Sequence, residues 1–295
     1  MMKSGFALID KSINISSQKI DSILKKKYNL NKVGHLGTLD PLASGLLVVG
    51  INSATRYFKY FENLSKKYIL TLRLGATSKT LDREAELENV IDVDYRGKEN
   101  IIDEYLKSSI KKYLQTPPIY SAIKVSGTPL YKYAIKNKEV EIKKREVEIY
   151  DIKRLSDIRY IDNQSFVDIY LYVSKGFYVR SFAKEIGEYL SIPTLADDIR
   201  RIQVGPFKIE DSKKLDDDLI LINPLDYLCF NSIDIDNDLY KSVLNGQRLS
   251  SDLINFSNEF IILKYKNEPI AIYKKDNEKD NYKLDLLIKN ENLIY

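Results

Sequence analysis

Gly34-His35-Leu36-Gly37-Thr38-Leu39-Asp40-Pro41-Leu42-Ala43-Ser44-Gly45-Leu46-Leu47 is the densest local signal in this 295-residue chain. Its three spaced glycines, one proline and Asp-Pro step specify a tight, shaped loop leading into a buried strand at residues 46–49. The spacing is neither G-x-G-x-x-G nor G-x-x-x-x-G-K-[ST], so a nucleotide-phosphate cradle is poorly supported. Taken alone, Asp40 reads as a turn residue bonded to its own backbone, and His35 as a structural histidine. The sharper reading is a carboxylate fixed on a rigid loop, which can act as nucleophile or base.

Outward from this loop, strands and helices intersperse. Residues 5–10 read as a strand, and Ser16 or Ser17 caps a helix running to about Leu30, with Ile20, Ile23, Leu24 and Tyr28 at helical spacing. The spacing predicts loop throughout 34–45 and a short helix over 54–61. Tyr68, Leu70, Leu72 and Leu74 face one way and Ile69, Thr71 and Arg73 the other, at strand period. Residues 100–114 repeat as an amphipathic helix that Pro117-Pro118 would end. A hairpin turning at Gly127, a helix over 131–138, strands over 146–155 and 166–173, a helix over 177–190 and a strand over 201–207 complete the pattern. The absence of regular βαβ spacing predicts an α+β fold around a mixed, mainly antiparallel sheet. Strand-like runs at 260–263 and 269–273, split by a turn at 266–268, predict a small β-rich domain. The expected division is 1–231 and 232–295.

Composition narrows the chemistry. The chain has one histidine, His35, one cysteine, Cys229, and no tryptophan. A two-histidine zinc motif, a Cys/His zinc site and a disulfide framework are therefore excluded. No apolar run is long enough for a membrane helix or a signal core, and the expectation is a soluble cytoplasmic protein. The net charge of +4 divides into +7 for residues 1–225 and −3 for 226–295, so an anionic ligand would meet the first part.

Three further constellations stand out. In Ser174-Lys175-Gly176-Phe177-Tyr178-Val179-Arg180 a strand ends, glycine turns the chain, and a helix begins with an arginine in its first turn. A cation there opposes the positive helix end and calls for an anion, most simply an aspartate, or else lies at the surface. The segment QTPPIYSAIKVSG at residues 115–127 could pack internally or line a groove for a phosphodiester backbone. Arg200-Arg201 suggests phosphate contacts, with a solvated face as the plain alternative.

The loop GHLGTLDPLASGLL, the strand KKYILTLRLG, the segment QTPPIYSAIKVSG, the run SKGFYVRS and the segment DIRRIQVGPF occur in this order. Together they resemble the bacterial tRNA pseudouridine-55 synthase family, the TruB class, over roughly residues 5–210. The resemblance implies a pseudouridine-synthase fold with a small PUA-like C-terminal domain. It implies Asp40 as the essential carboxylate, Arg180 as its ion-pair partner and Tyr68 as the aromatic residue against the target base. It also implies His35 as the histidine that reorganises the RNA loop, Tyr178 and Ile199 as lining of the uridine pocket, and Lys11 as the lysine of the family's DKPxGxxS segment. The implied reaction breaks the C1′–N1 bond of a uridine and joins C1′ to C5. It needs no redox change, cofactor or metal. The implied partner is the T arm of tRNA, with no membrane and no obligatory protein partner, the enzyme acting as a monomer.

The chain departs from the family pattern in places. DKPxGxxS is here Asp10-Lys11-Ser12-Ile13-Asn14-Ile15-Ser16-Ser17, without the proline and glycine. The family's TDTxD is here Ser78-Lys79-Thr80-Leu81-Asp82, and Ala85, Ile135 and Lys138 replace usual glycine or arginine positions. Competing readings are a related synthase acting on another RNA, a catalytically idle RNA-binding module, and a hydrolase that uses Asp40 to activate water. The retained Asp40, Tyr68 and Arg180 argue against an idle module.

Overall fold

Apolar alternation and capping chemistry build most of the elements. The computed structural model describes residues 4–254, 258–276 and 278–288. Strand β1 (Gly5–Lys11) leads into helix α1 (Ser17–Lys27), whose N-terminus is capped by Ser16 accepting from the Lys19 N–H. Strands β2 (Val33–Leu36) and β3 (Ser44–Ile51) flank the loop around Asp40. The expectation of loop throughout 34–45 is therefore corrected at its start: His35 is on a strand, paired opposite Val49.

Strand β4 (Lys66–Leu74) follows a 3₁₀ helix over Asn52–Tyr60. Tyr68, Leu70, Leu72 and Leu74 are its buried face, as the alternation requires. Helix α2 (Glu99–Ser108) is shorter than the periodicity suggests. The hydroxyls of Ser108 and Ser109 both donate to the Tyr105 carbonyl at 2.8 Å, and the chain then extends into β5 (Lys112–Gln115). Cross-strand pairing with residues 145–148 overrides the helical spacing there, so the two prolines do not end the helix.

Strands β6 (Arg145–Arg154) and β7 (Gln164–Val173), helix α3 (Val179–Leu190) and strand β8 (Thr194–Val204) complete the first part. Strand β8 starts seven residues before the sequence pattern suggests, because its Asp197-Asp198 and Arg200-Arg201 steps interrupt the apolar alternation. Among the described residues one ten-stranded sheet has the path β1-β3-β8-β4-β7-β6-β5, with β2 paired to β3 and two short strands, Arg159–Ile161 and Phe207–Lys208, paired to β7 and β8 off this path. Only the β3–β8 step along this path is parallel, so the sheet is mixed and mainly antiparallel. One apolar cluster joins Leu70, Leu72, Val167, Ile169 and Leu171 to Phe182 and Ile186 of α3. Another packs Ile20 and Leu24 of α1 against Ala7, Ile9, Leu47 and Val49.

A second sheet starts at β9 (Asn231–Asp234), continues through helix α4 (Asn237–Leu244) and strands β10 (Leu249–Ser250), β11 (Phe260–Tyr265), β12 (Glu268–Asp276) and β13 (Asn281–Leu287), and has the order β9-β11-β12-β13-β10. The C-terminal region is thus small and β-rich. Among the described residues no helix is long and apolar enough to cross a membrane.

Candidate active site

The loop after β2 is held in shape from behind. Ser17, the first residue of α1, accepts from the Leu39 N–H and donates to the Leu39 carbonyl, both at 2.9 Å. Asn14 N–H donates to the Pro41 carbonyl at 2.8 Å. The Lys11 ammonium is fully buried and donates to the carbonyls of Ile15 at 2.7 Å, Ser12 at 3.0 Å and Pro41 at 3.2 Å. Burial is the main cause of its pKa being pushed down to about 8, with Asp40 opposing and Arg201 adding to the fall. Asn14 stands where the family segment has glycine and adopts a φ of 63°, a left-handed conformation that asparagine tolerates better than most residues.

These braces leave Asp40 projecting from the loop, its side chain 41% exposed, while Arg180 is 5% exposed. One Arg180 Nη2 lies 2.9 Å from Asp40 Oδ2. The same guanidinium donates to the carbonyls of Thr80 at 2.8 Å and Tyr120 at 2.9 Å, and Nη1 lies 3.5 Å from Asp82 Oδ2. A cation buried to this degree is stable only with its donors satisfied and opposite charge at hand. Both conditions hold, and the anion expected beside this helix start is two carboxylates. Asp82 is itself fixed by Thr80 Oγ1 at 2.6 Å and the Glu84 N–H at 2.9 Å. Helix α3 has no side-chain cap; instead Gln115 accepts from the Tyr178 N–H at 2.8 Å, which sets where the helix starts.

Asp40, Tyr68, Tyr178, Arg180 and Ile199 line one cavity of about 690 Å³, between the Asp40 loop, the start of α3 and the paired strands β4 and β8. Tyr68 and Ile199 come from those two strands, whose register sets Leu70 opposite Ile199 and Tyr68 opposite Arg201. Burial pushes the Tyr178 phenol pKa up. A slightly larger hollow of about 730 Å³ flanks α3 and is lined by Lys79 and by Thr116 to Ile119 of the 115–127 segment, but it contains none of Asp40, Tyr68, Tyr178, Arg180 and Ile199, so its size does not make it the site.

Lys11 and His35 are not on the cavity wall. Lys11 is behind the loop, as described. His35 lies between Asp21 and Thr38, its Nδ1 2.7 Å from Asp21 Oδ2 and its Nε2 3.0 Å from Thr38 Oγ1.

The reading of Arg200-Arg201 as phosphate contacts or a solvated face is corrected for Arg201. Arg201 is 1% exposed and donates to the carbonyls of Leu46 and Gly37, both at 2.8 Å, with its charge against the Tyr68 phenol. Burial lowers its pKa. Arg200 pairs with Asp10 at 2.8 Å. Sequence reasoning also missed Asp82 and Lys66 as neighbours of the site. Lys66 lines the cavity, and its pKa is pushed down to about 8, chiefly by burial. Asp82 did carry a signal, since it ends the segment SKTLD, whose counterpart in the resembling family keeps an aspartate. Lys79, the substituted position, faces solvent and lies 3.8 Å from Glu88.

Comparisons with known proteins place the chain among its relatives. A family model described as the N-terminal domain of TruB family pseudouridylate synthases matches residues 25–179. A tRNA pseudouridine synthase B of Staphylococcus saprophyticus is 34% identical over 294 residues, covering 94% of this chain and 96% of the relative. A protein of the same name from Borreliella burgdorferi is 35% identical over 271 residues, covering 91% of this chain and 94% of the relative. Among solved structures, a chain from a crystal structure of a Cbf5-Nop10-Gar1 complex superposes with a TM-score of 0.64 at 21% identity, covering 97% of this chain and 84% of that one, a likeness of fold. Sequence motifs, cavity and relatives converge: the chain belongs to the TruB family of pseudouridylate synthases.

Proposed function

We propose that this protein converts a uridine of tRNA to pseudouridine, that the target is position 55 in the T loop, and that Asp40 is the essential carboxylate. The observation that carries the reading is the ion pair at 2.9 Å between half-exposed Asp40 and buried Arg180, at a cavity walled by Tyr68, Tyr178 and Ile199. The relatives named above as tRNA pseudouridine synthases support the substrate class. The enzyme acts as a cytoplasmic monomer without a cofactor. Its catalytic domain spans 1–231, and residues 232–295 form a PUA-like domain.

The chemistry follows from the side chains. A stacked base is out of reach, so the target nucleotide leaves the stack at a cost of a few kcal/mol, offset by contacts in the pocket. Tyr68 offers an aromatic face for the uracil. The ionised Asp40 carboxylate then either bonds to C1′ as the C1′–N1 bond breaks, as in glycoside chemistry, or removes the C2′ proton. The freed uracil rotates, and C5 bonds to C1′ as the Asp40–C1′ bond breaks or, on the second route, as Asp40 returns the proton to C2′; the C5 proton is then lost and N1 gains one, so atoms and electrons balance without an outside reactant. Arg180 donates a charge-assisted hydrogen bond that fixes the direction of the carboxylate.

Tritium release tests this. A tRNA transcript carrying tritium at uridine C5 should release one equivalent per molecule, and a transcript with cytidine at position 55 should release none. Release that persists from the substituted transcript would move the target elsewhere in the RNA, and no release from either would refute the activity.

A further inference from the structure

Helix α1 carries one charged side chain, Asp21, that is turned toward the interior and lies off the cavity wall. Asp21 is 16% exposed and its partner His35 14% exposed, with 2.7 Å between Oδ2 and Nδ1. The other carboxylate oxygen, Oδ1, is buried and has no hydrogen-bond partner among the described residues. Its helix neighbours Ile20 and Leu24 are core residues. An unpaired buried acceptor is unfavourable, more so when it carries charge. Packing alone would therefore select an apolar residue at position 21.

The pair has a directional consequence. An ionised carboxylate only accepts, so the hydrogen between the two groups sits on His35 Nδ1. In the neutral ring Nε2 is then an acceptor, and the Thr38 hydroxyl 3.0 Å away donates to it. Thr38 is on the cavity wall, two residues before Asp40. With its proton committed to His35, Thr38 turns lone pairs toward the cavity. The opposite tautomer would turn its proton there instead.

We propose that Asp21 is a positioning residue that fixes the Nδ1–H tautomer of His35 and thereby sets Thr38 as a hydrogen-bond acceptor toward a donor group of the bound RNA. The tautomer stands on geometry alone, whereas its effect on RNA rests on the function proposed above. His35 is the chain's one histidine, so its two ring nitrogens give unambiguous ¹⁵N resonances. At mildly alkaline pH the wild-type protein should show Nδ1 protonated and Nε2 unprotonated. In Asp21→Leu, which removes the carboxylate and fills the space, Nδ1 should lose that character. The same variant should melt no lower than wild type, because the orphaned oxygen is gone, yet show a fivefold to tenfold higher KM for tRNA with a smaller effect on kcat. In a His35→Ala background, Asp21→Leu should add nothing further. A wild-type ring protonated at Nε2 alone, an unchanged spectrum in Asp21→Leu, or a switched tautomer with unchanged KM would each overturn the proposal. Failure of the wild type to act on tRNA would instead strike the functional reading and leave the spectrum to decide the tautomer.

Discussion

Arg180 enters α3 at its second position, where the helix's positive end disfavours a cation. Asp40 and Asp82 offset that penalty, and the carbonyls of Thr80 and Tyr120 take further guanidinium donors. The fixed guanidinium dictates where Asp40 points. Lys11 shows the opposite balance, since three carbonyls receive its hydrogens but full burial still lowers its pKa to about 8. The folded protein therefore bears the burial penalty of the charged ammonium below about pH 8. Between 8 and 10.5 the unfolded chain holds a proton that the folded chain has shed, so stability rises with pH, by up to about 1.4 kcal/mol per pH unit. Urea denaturation of wild type and Lys11→Met on either side of pH 8 measures this. Stability of the wild type relative to the variant should increase at the higher pH, and a pH-independent difference would contradict the burial assignment.

At the scale of elements, the site depends on one parallel pairing. Strands β3 and β8 meet with Gly45 opposite Arg201. Gly45 has a φ of 100°, and a Cβ there would lie 2.2 Å from the Arg201 carbonyl oxygen. Gly45→Ala should therefore separate the strands, loosen the Arg201 bonds to Leu46 and Gly37, and reduce stability by about 3 kcal/mol or more in denaturant titrations. A loss below about 1 kcal/mol would show that the pairing yields easily. Much at this scale was legible beforehand. The period of Tyr68 to Leu74, the glycine-rich loop and the turn before α3 each announce themselves locally. The end of α2, the strand character of His35 and the early start of β8 depend on partners far along the chain, which local spacing does not encode. Arg201 illustrates the same limit: an arginine beside another reads as surface until the sheet closes over it. Asp21 reads as an ordinary polar helix residue until His35 is brought against it.

The whole molecule ties its two sheets together. Ile262, Ile272 and Leu286 share an apolar cluster with Phe6, Leu8, Phe61 and Phe207. Tyr60 meets Phe230 and Phe260 edge-on at 5.5 and 5.3 Å, and its hydroxyl donates to Asp285 at 2.5 Å. The +7 of residues 1–225 and the −3 of the remainder put the attraction for an RNA backbone on the part that holds the cavity. That division separates binding, spread over many cations, from turnover, which in the proposed mechanism depends on a single carboxylate. The most direct test is Asp40→Asn, which keeps shape and hydrogen bonding but removes the charge. Tritium release from C5-labelled tRNA should fall by roughly a thousandfold or more while tRNA affinity stays within a few-fold of wild type. Release by Asp40→Asn within tenfold of the wild-type rate would contradict the assignment of Asp40 as the working group.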